Sequence, residues 1–262
     1  MTDNAILTEL RDGGAAILTI NRPGALNALD TDTLHAFADA FRNLEADENV
    51  RVIIITGAGD RSFVAGGDIG DLNSRQGLAH YEQLAETLHT TFRMVETSDK
   101  PTIAAVNGWA LGGGTELLLC TDIRLVAENA KLGLPEIKLG LFPGAGGTQR
   151  LIRQLPLCRA KEMMFTGEPI TAREAVDLGL ANRVVSPSAL IDDAVELAQA
   201  IGAKSPLVLK LLKRTLLAGA DMPLSASLAH EQAMIGLVLD SSDAHEGCSA
   251  FLAKRPAQFT GS

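Results

Sequence analysis

Residues 100–116 read KPTIAAVNGWALGGGTE and contain a predicted strand followed by a predicted helix. The strand, Thr102–Val106, is apolar and begins directly after a proline. Three consecutive glycines, Gly112–Gly114, then open a helix predicted to end near Cys120, although each glycine costs about 1 kcal/mol against alanine inside a helix. Glycine permits close backbone approach, and a helix start directs free N–H groups and a positive dipole outward. Taken alone, the segment is better explained by a tight turn in which Glu116 offsets the helix dipole than by a site.

Two other segments have the same character. SFVAGGDI at Ser62–Ile69 places two glycines and an aspartate after a strand-like approach, and the simplest explanation is a turn capped by Asp68. PEIKLGLFPGAGG at Pro135–Gly147 places Glu136 in an otherwise apolar run, where a solvated loop carboxylate or a helix cap would also suffice. Each segment is a weak signal of function when it is considered separately.

The hydrophobic periodicity predicts strands alternating with helices in the first part of the chain and mainly helices afterwards, which indicates an α/β fold. The run VRVIIIT at Val50–Thr56 is typical of a strand buried on both faces. The other predicted strands are Ala15–Ile20, Thr102–Val106, Ile123–Ala127 and Arg183–Ser186. The predicted helices, besides the one at Gly112–Cys120, are Thr31–Leu44 with Asp30 or Thr31 as N-cap, Leu78–Val95, Pro143–Leu155, Thr171–Leu178, Ser188–Ile201, Pro206–Ala218 and Pro223–Leu239. We divide the chain into an α/β core with the active site at residues 1–200 and a helical region at residues 201–262.

The composition excludes several classes of protein. The 262 residues carry a net charge of −9 and no basic stripe, so we expect no nucleic-acid partner. The three cysteines are widely spaced, which is typical of a reducing compartment and forms no metal or redox motif. The N-terminus resembles no targeting signal, and no run of eighteen apolar residues is present, so we expect a cytoplasmic protein without a membrane partner.

Other catalytic motifs are missing. The sequence has no GxxxxGK[ST] phosphate loop and no GxGxxG following a strand. It has no GxSxG nucleophile elbow. His230-Glu231 and His245-Glu246 lack the second histidine of an HExxH zinc site, so we expect no metal.

Taken together, these segments resemble the enoyl-CoA hydratase/isomerase (crotonase) superfamily. Similarity extends from about residue 5 to residue 255. The matching elements are Asn21-Arg22-Pro23 with Ala25–Leu29 (NRP…LNAL), Phe63–Asp68 (F-x-A-G-x-D), Lys100–Gly108 with Leu111–Glu116 (KPxIAAVNG…LGGGxEL), Leu134–Glu136 with Gly140 and Pro143–Arg150, and Thr166-Gly167 with Ala172, Ala175 and Gly179-Leu180.

The resemblance implies a fold, a reaction and an oligomer. The fold would be a spiral of ββα units with a C-terminal helical region used in trimer packing, giving a homotrimer or a dimer of trimers. The substrate would be an acyl-CoA thioester, so coenzyme A would arrive as part of the substrate and no separate cofactor would be needed. The reaction would be hydration of an enoyl-CoA, in which one group takes a proton from water and another gives a proton to the α-carbon.

The resemblance also assigns roles to individual residues. Glu116 would mainly activate water, and Glu136 would mainly protonate the α-carbon. The backbone N–H groups of Ala65 and Gly113 would form the oxyanion hole. Substrate contacts are expected at Ala25, Leu26, Ala28, Gly66, Gly67, Asp68, Ile69, Trp109, Gly112, Pro135 and Gly144. The acyl pocket is expected among Leu72–Gln76, Trp109 and Phe142. Arg22, Lys254 and Arg255 are either phosphate partners or solvated surface charges.

Two alternatives remain open at this point. Related isomerases generally keep a carboxylate at the position of Glu136 and not at that of Glu116, so a Δ3,Δ2-enoyl-CoA isomerase using Glu136 alone is one alternative. A homologue that binds RNA or acts as a scaffold is the other. RNA binding would call for a lysine-rich helical face, whereas the helix from Thr31 carries Asp32, Asp39 and Glu45 against the single Arg42.

Overall fold

The computed structural model describes residues 4–75, 77–78 and 80–262. Two sheets form the framework. The larger sheet has the strand order β1-β2-β3-β5-β7-β10, and the smaller one has the order β4-β6-β8-β9. The strands are β1 (Ile6–Arg11), β2 (Ala15–Ile20), β3 (Val52–Gly57), β4 (Ser62–Val64), β5 (Thr102–Val106), β6 (Trp109–Leu111), β7 (Ile123–Ala127), β8 (Lys131–Gly133), β9 (Ile170–Thr171) and β10 (Arg183–Val185).

Helices connect and cover the sheets. Their bounds are α1 (Thr31–Ala46), α2 (Ile69–Asn73), a π-helical turn (His80–Ala85), α3 (Glu86–Thr97), α4 (Gly113–Leu118), a 3-10 turn (Pro135–Leu139), α5 (Gly147–Gln154), α6 (Leu157–Thr166), α7 (Ala172–Asp177), α8 (Leu190–Gly202), α9 (Pro206–Ala220), α10 (Leu224–Leu239) and α11 (Ser242–Leu252). No helix within these described residues is long and apolar enough to cross a lipid bilayer.

The chain repeats one unit along both sheets. A strand of the larger sheet is followed by a strand of the smaller sheet and then by helical structure, as in β3–β4–α2 and β5–β6–α4. Within the larger sheet β2, β3, β5, β7 and β10 are parallel, and in the smaller sheet β4, β6 and β8 are parallel. This is the predicted α/β spiral of ββα units, and the predicted C-terminal helices are present. The division after residue 200 stays a prediction.

The central strands are buried on both faces, as predicted for VRVIIIT. Every residue of β3 is buried. On one face Ile53 and Ile55 pack with the apolar stripe of α1, and on the other face Ile54 packs with Leu190 of α8. Burial on both sides explains why the strand lacks the alternation of polar and apolar residues that a half-exposed strand shows.

Several predicted boundaries were wrong. The helix expected at Leu78–Val95 is present, but its first part, His80–Ala85, is π-helical and α3 continues it to Thr97; Ala79 lies outside the described residues. The helix expected from Pro143 begins only at Gly147, because Pro143–Gly146 form a loop that ends at a φ of 104°. β1, α2, α6, α11 and three strands of the smaller sheet, β6, β8 and β9, were missed, whereas β4 coincides with the strand-like approach at Ser62. The missed strands of the smaller sheet have only two or three residues, and β1 is mostly exposed, so none of them leaves a clear periodic pattern.

Helix α4 lies directly against β4. A β-carbon built on Gly114 would overlap the backbone carbonyl of Val64, so only glycine permits this approach. We expect Gly114→Ala to lower the free energy of unfolding by about 1–3 kcal/mol, because the helix must move away from the strand. Urea denaturation measures the change. Gly24→Ala is the control, since nothing lies within 4 Å of that position, and its effect should stay within about 0.5 kcal/mol. Equal stabilities for the two variants would contradict the close contact.

Candidate active site

Helix α4 carries Glu116 into the interior of the protein. The helix begins at Gly113. Gly112 turns the chain just before it with φ 51° and ψ −121°, a backbone conformation that residues other than glycine rarely adopt. Glu116 is only 3% exposed although it carries a carboxyl group. A buried carboxyl group is costly unless it is hydrogen-bonded or protonated, so its surroundings decide its chemical state.

The Glu116 carboxylate is held by a loop. Its Oε1 accepts hydrogen bonds from the backbone N–H of Ala145 at 2.7 Å and of Gly147 at 2.8 Å. A β-carbon on Gly147 would lie 2.9 Å from this oxygen, so the loop can come this close to the carboxylate because residue 147 is glycine. Burial raises the pKa of Glu116, whereas the two N–H donors and the nearby positive charge of Arg150 lower it.

Glu136 lies in a different environment in the same cavity. It is in the turn Pro135–Leu139, and its Oε1 lies 3.0 Å from the position of a β-carbon built on Gly112. In the described part of the chain, no donor lies within hydrogen-bonding distance of its buried Oε2. Burial raises the pKa of Glu136 to about 7, and the nearby charge of Glu116 adds to this rise, which favours the protonated form.

Two backbone N–H groups are free beside these carboxyl groups. Gly113 is the first residue of α4, and the nitrogen of Gly67 lies 3.6 Å from the position of a β-carbon built on Gly113. Among the described residues, neither nitrogen has an acceptor within hydrogen-bonding distance. The N–H of Ala65 differs, because it donates to the carbonyl of Leu26 at 3.1 Å. The expected donor Ala65 is therefore corrected to Gly67, two residues further along the same motif.

The cavity into which these groups open has a volume of about 460 Å³. It brings together eleven of the predicted site residues: Ala65, Gly66, Gly67, Asp68, Ile69, Gly112, Gly113, Glu116, Pro135, Glu136 and Gly144. The predicted acyl-pocket residues Leu72 and Phe142 also line it, while Gln76 lies outside the described residues. The remaining lining was not predicted and is mostly apolar: Leu29, Asp71, His80, Leu84, Ala85, Leu88, Leu139, Leu141 and Ala145.

Four predicted substrate residues do not line the cavity. Trp109 is 47% exposed, because the alternation along β6 buries Ala110 and directs its neighbour outward. Ala25, Leu26 and Ala28 belong to the loop before Leu29, which does line the cavity. The carbonyl of Leu26 already accepts from Ser62 and Ala65, so it is not a free acceptor.

Two of the three predicted phosphate partners, Arg22 and Arg255, form ion pairs with carboxylates of the chain. Arg22 forms ion pairs with Asp30 at 2.8 Å and with Asp68 at 3.3 Å, and Arg255 pairs with Glu246 at 2.6 Å. These pairs tie the loop after β2 to the start of α2 and tie the C-terminal tail to α11. A role of Lys254 toward phosphate stays a prediction.

The described residues contain no group of three His, Cys, Asp or Glu side chains placed to hold a metal ion. The cavity instead joins two carboxyl groups in unlike environments with two free N–H donors. Such donors stabilise negative charge on an oxygen, and the carboxyl groups can take and give protons nearby. The arrangement suits addition or removal of protons at carbon atoms next to a carbonyl group.

A sequence model of the enoyl-CoA hydratase/isomerase family matches residues 11–262. The chain belongs to the enoyl-CoA hydratase/isomerase family. It is 40% identical to the short-chain-enoyl-CoA hydratase of Clostridium acetobutylicum, over 96% of each chain. It is 43% identical to the crotonyl-CoA hydratase of Syntrophomonas wolfei, over 93% of this chain and 94% of that protein. The crystal structure of an enoyl-CoA hydratase from Bacillus anthracis superimposes with a TM-score of 0.94 at 36% identity, covering 98% of this chain and all of the other.

The raised pKa of Glu136 makes the stability of this family member depend on pH. The folded state keeps the Glu136 proton up to about pH 7, whereas the unfolded chain releases it near 4.5. The wild type therefore loses stability from this group as pH rises from 4.5 to 7, by at most about 3 kcal/mol. We expect the unfolding free energy of Glu136→Gln, relative to wild type, to increase over that range. Denaturant titrations at several pH values measure it, and a difference that stays constant would contradict a raised pKa.

Proposed function

We propose that this chain is an enoyl-CoA hydratase, a hydro-lyase that adds water syn across a trans-2-enoyl-CoA to give a 3-hydroxyacyl-CoA. The observation that carries the proposal is the shared cavity of Glu116 and Glu136 beside the free N–H groups of Gly67 and Gly113. The relatives from Clostridium acetobutylicum and Syntrophomonas wolfei, which are named as a short-chain-enoyl-CoA hydratase and a crotonyl-CoA hydratase, support the same reaction.

The two N–H groups would bind the thioester carbonyl oxygen. Attack of water at the β-carbon moves electrons onto that oxygen, so the enolate is stabilised where the donors of Gly67 and Gly113 converge. A donor of this kind typically contributes roughly 3 kcal/mol to lowering the barrier. The dipole at the start of α4 acts in the same direction.

The environments of the two carboxyl groups suggest their roles. Glu116 is bound by two N–H donors and lies near Arg150, both of which favour its carboxylate. It would take a proton from water as the oxygen of that water bonds to the β-carbon. Among the described residues no donor reaches Oε2 of Glu136, and the pKa of this group is raised to about 7, so it keeps a proton that it can give to the α-carbon. Because the two groups interact, their titrations are shared between them.

A Δ3,Δ2-enoyl-CoA isomerase is the second candidate. Glu136 alone, with an unpartnered oxygen and a pKa of about 7, has the properties needed to move a proton between two carbon atoms. The hydratase is favoured because an isomerase has no need of the buried and hydrogen-bonded Glu116. The activity that remains after Glu116 is changed separates the two reactions.

The substrate would be an acyl-CoA thioester whose acyl chain lies against the apolar lining at Leu84, Leu88, Leu141 and Phe142. No separate cofactor is needed, because coenzyme A is part of the substrate and the chemistry consists of proton transfers. A cytoplasmic location stays a prediction from the sequence.

The C-terminal helices suggest an oligomer. Leu216, Leu224, Leu228, Leu239 and Phe251 on α9, α10 and α11 are each more than half exposed. Exposed apolar surface of this extent on helices is typical of a protein–protein interface. We therefore propose a homotrimer, alone or as a dimer of trimers, in which these helices are covered by other copies of the chain.

The two-carboxylate mechanism predicts that Glu116→Gln and Glu136→Gln each lower kcat for hydration of crotonyl-CoA by about 10²–10⁴-fold, since each removes one proton-transfer group. The loss of the conjugated thioester absorbance measures the rate, and chromatography identifies the 3-hydroxyacyl-CoA product. Glu9→Gln, at an exposed position on β1, is the control and should match the wild type. Full activity of Glu116→Gln would exclude the hydratase mechanism, and conversion of a 3-enoyl-CoA by that variant would favour the isomerase.

The oligomer predicts a solution mass of three or six times that of the chain, measured by light scattering. Leu228→Asp should lower this mass, because a charge would be buried in the interface. Leu10→Asp on the edge strand β1 is the control, since Leu10 is similarly exposed, at 56% against 53%. A wild type that stays monomeric at micromolar concentration would refute the proposal.

A further inference from the structure

An ion pair lies behind the loop that binds Glu116. Arg150 of α5 makes two hydrogen bonds to Glu96 of α3, from Nε to Oε1 and from Nη2 to Oε2, each of 2.8 Å. The two side chains are only 15% and 28% exposed. A two-point contact between planar groups fixes the guanidinium in orientation as well as in position.

The same guanidinium contacts the loop between Phe142 and α5. Nη1 of Arg150 donates to the carbonyl of Ala145 at 3.2 Å. Gly146, the next residue, has a φ of 104°, and a β-carbon on it would overlap Nη1. The backbone at residues 145–146 is therefore shaped around the guanidinium.

This segment of backbone is the one that holds Glu116. The N–H groups of Ala145 and Gly147, on either side of Gly146, both donate to Oε1 of Glu116. A continuous set of contacts thus extends from Glu96 through Arg150 and the loop to the Glu116 carboxylate. Neither Glu96 nor Arg150 lines the cavity, so neither would touch the substrate.

We propose that Arg150 and Glu96 are positioning residues, which hold the loop in the shape that binds Glu116 and keep a positive charge beside its carboxylate. The role of this pair in turnover rests on the proposed function, because it assumes that Glu116 takes a proton from water. The contacts themselves do not depend on the reaction.

The charge of Arg150 gives the proposal a signature in pH. The titratable groups around Glu116 are Arg150 from α5, Cys120 just after the end of α4, Glu136 from the 3-10 turn and Glu96 behind Arg150. Of these, Arg150 is the cation that lowers the pKa of Glu116. A base must be unprotonated to act, so loss of Arg150 should raise the pH at which activity falls on the acid side.

The experiment measures kcat/KM for crotonyl-CoA against pH in Arg150→Met, Arg150→Lys and Glu96→Gln. We expect Arg150→Met to move the acid limb of the pH profile, where activity falls as the base becomes protonated, to higher pH. Arg150→Lys keeps the charge but loses the two-point contact, so its acid limb should stay near that of the wild type. Because the loop is then less well fixed, kcat should fall by about 10–100-fold in Arg150→Lys and Glu96→Gln. KM should change little, since neither residue lines the cavity.

Arg214→Gln is the matched control. Arg214 makes a similar two-point pair, with Asp99 at 2.7 and 3.0 Å, and it does not line the cavity. Its loss should leave kcat and the pH profile as in the wild type. Should Arg150→Met not fold, Arg150→Lys and Glu96→Gln still decide the outcome. Wild-type kcat and wild-type acid limbs in these two variants would overturn the proposal.

A second measurement tests the contacts without turnover. In a double-mutant cycle of unfolding free energies, Arg150→Lys and Glu116→Gln together should cost less than the sum of their separate costs, because both disturb one set of contacts. Additive costs would overturn the proposal. If the wild type hydrates no enoyl-CoA, the proposed function fails while this cycle still decides the positioning. If the wild type is active and the costs are additive, only the positioning fails.

Discussion

The close approach of two backbones, at the start of α4, is the constraint on which the site depends. Gly114 lies against the carbonyl of Val64, and Gly113 lies beside Gly66 and Gly67. At Gly114 only hydrogen fits, because a β-carbon would overlap the Val64 carbonyl, whereas Gly113 lies at ordinary van der Waals distance from its neighbours. Because the backbones are this close, Gly67 and Gly113, whose N–H groups have no acceptor among the described residues, line one cavity. The helix that provides the second donor also carries Glu116, so donor and carboxylate are fixed relative to each other by one turn of helix.

Glu116 and Glu136 have the same side chain, yet their surroundings in the cavity give them different chemical properties. Both glutamates have raised pKa values because both are removed from water. At Glu116 the rise is opposed by two N–H donors and by the half-buried guanidinium of Arg150, and at Glu136 it is increased by the charge of Glu116. Oε2 of Glu136 has no partner among the described residues, so burial is costly for the ionised form, and this cost keeps the group protonated closer to neutral pH. Burial of Glu136 therefore lowers the folding stability, and Glu136 is the residue that the proposed reaction uses as its acid.

The ββα repeat explains how distant segments meet. Each repeat places a short strand in the smaller sheet, and the loops and helix starts after these strands face the cavity. Gly67 follows β4, Gly113 follows β6 and Glu136 follows β8. Since β4, β6 and β8 are parallel neighbours, their ends lie at one edge of the smaller sheet. The larger sheet, buried on both faces, provides the rigid support.

The sequence by itself determined the α/β class, the central strands, a helix start at Asp30 or Thr31 and the family motifs, because these depend on local periodicity, on caps and on residue types at fixed spacing. The structure then identified Asp30 as the N-cap. It also identified Glu116, Glu136 and the three glycine-containing segments. Tertiary structure alone decided that Gly67 replaces Ala65 as a free donor, because the acceptor of the Ala65 N–H, Leu26, is 39 residues away in sequence. It likewise decided that Trp109 faces outward and that Glu96 and Arg150 support the loop that holds Glu116. Hydrogen-bond partners and exposure depend on which segments meet in space, and a periodic pattern carries no information on that.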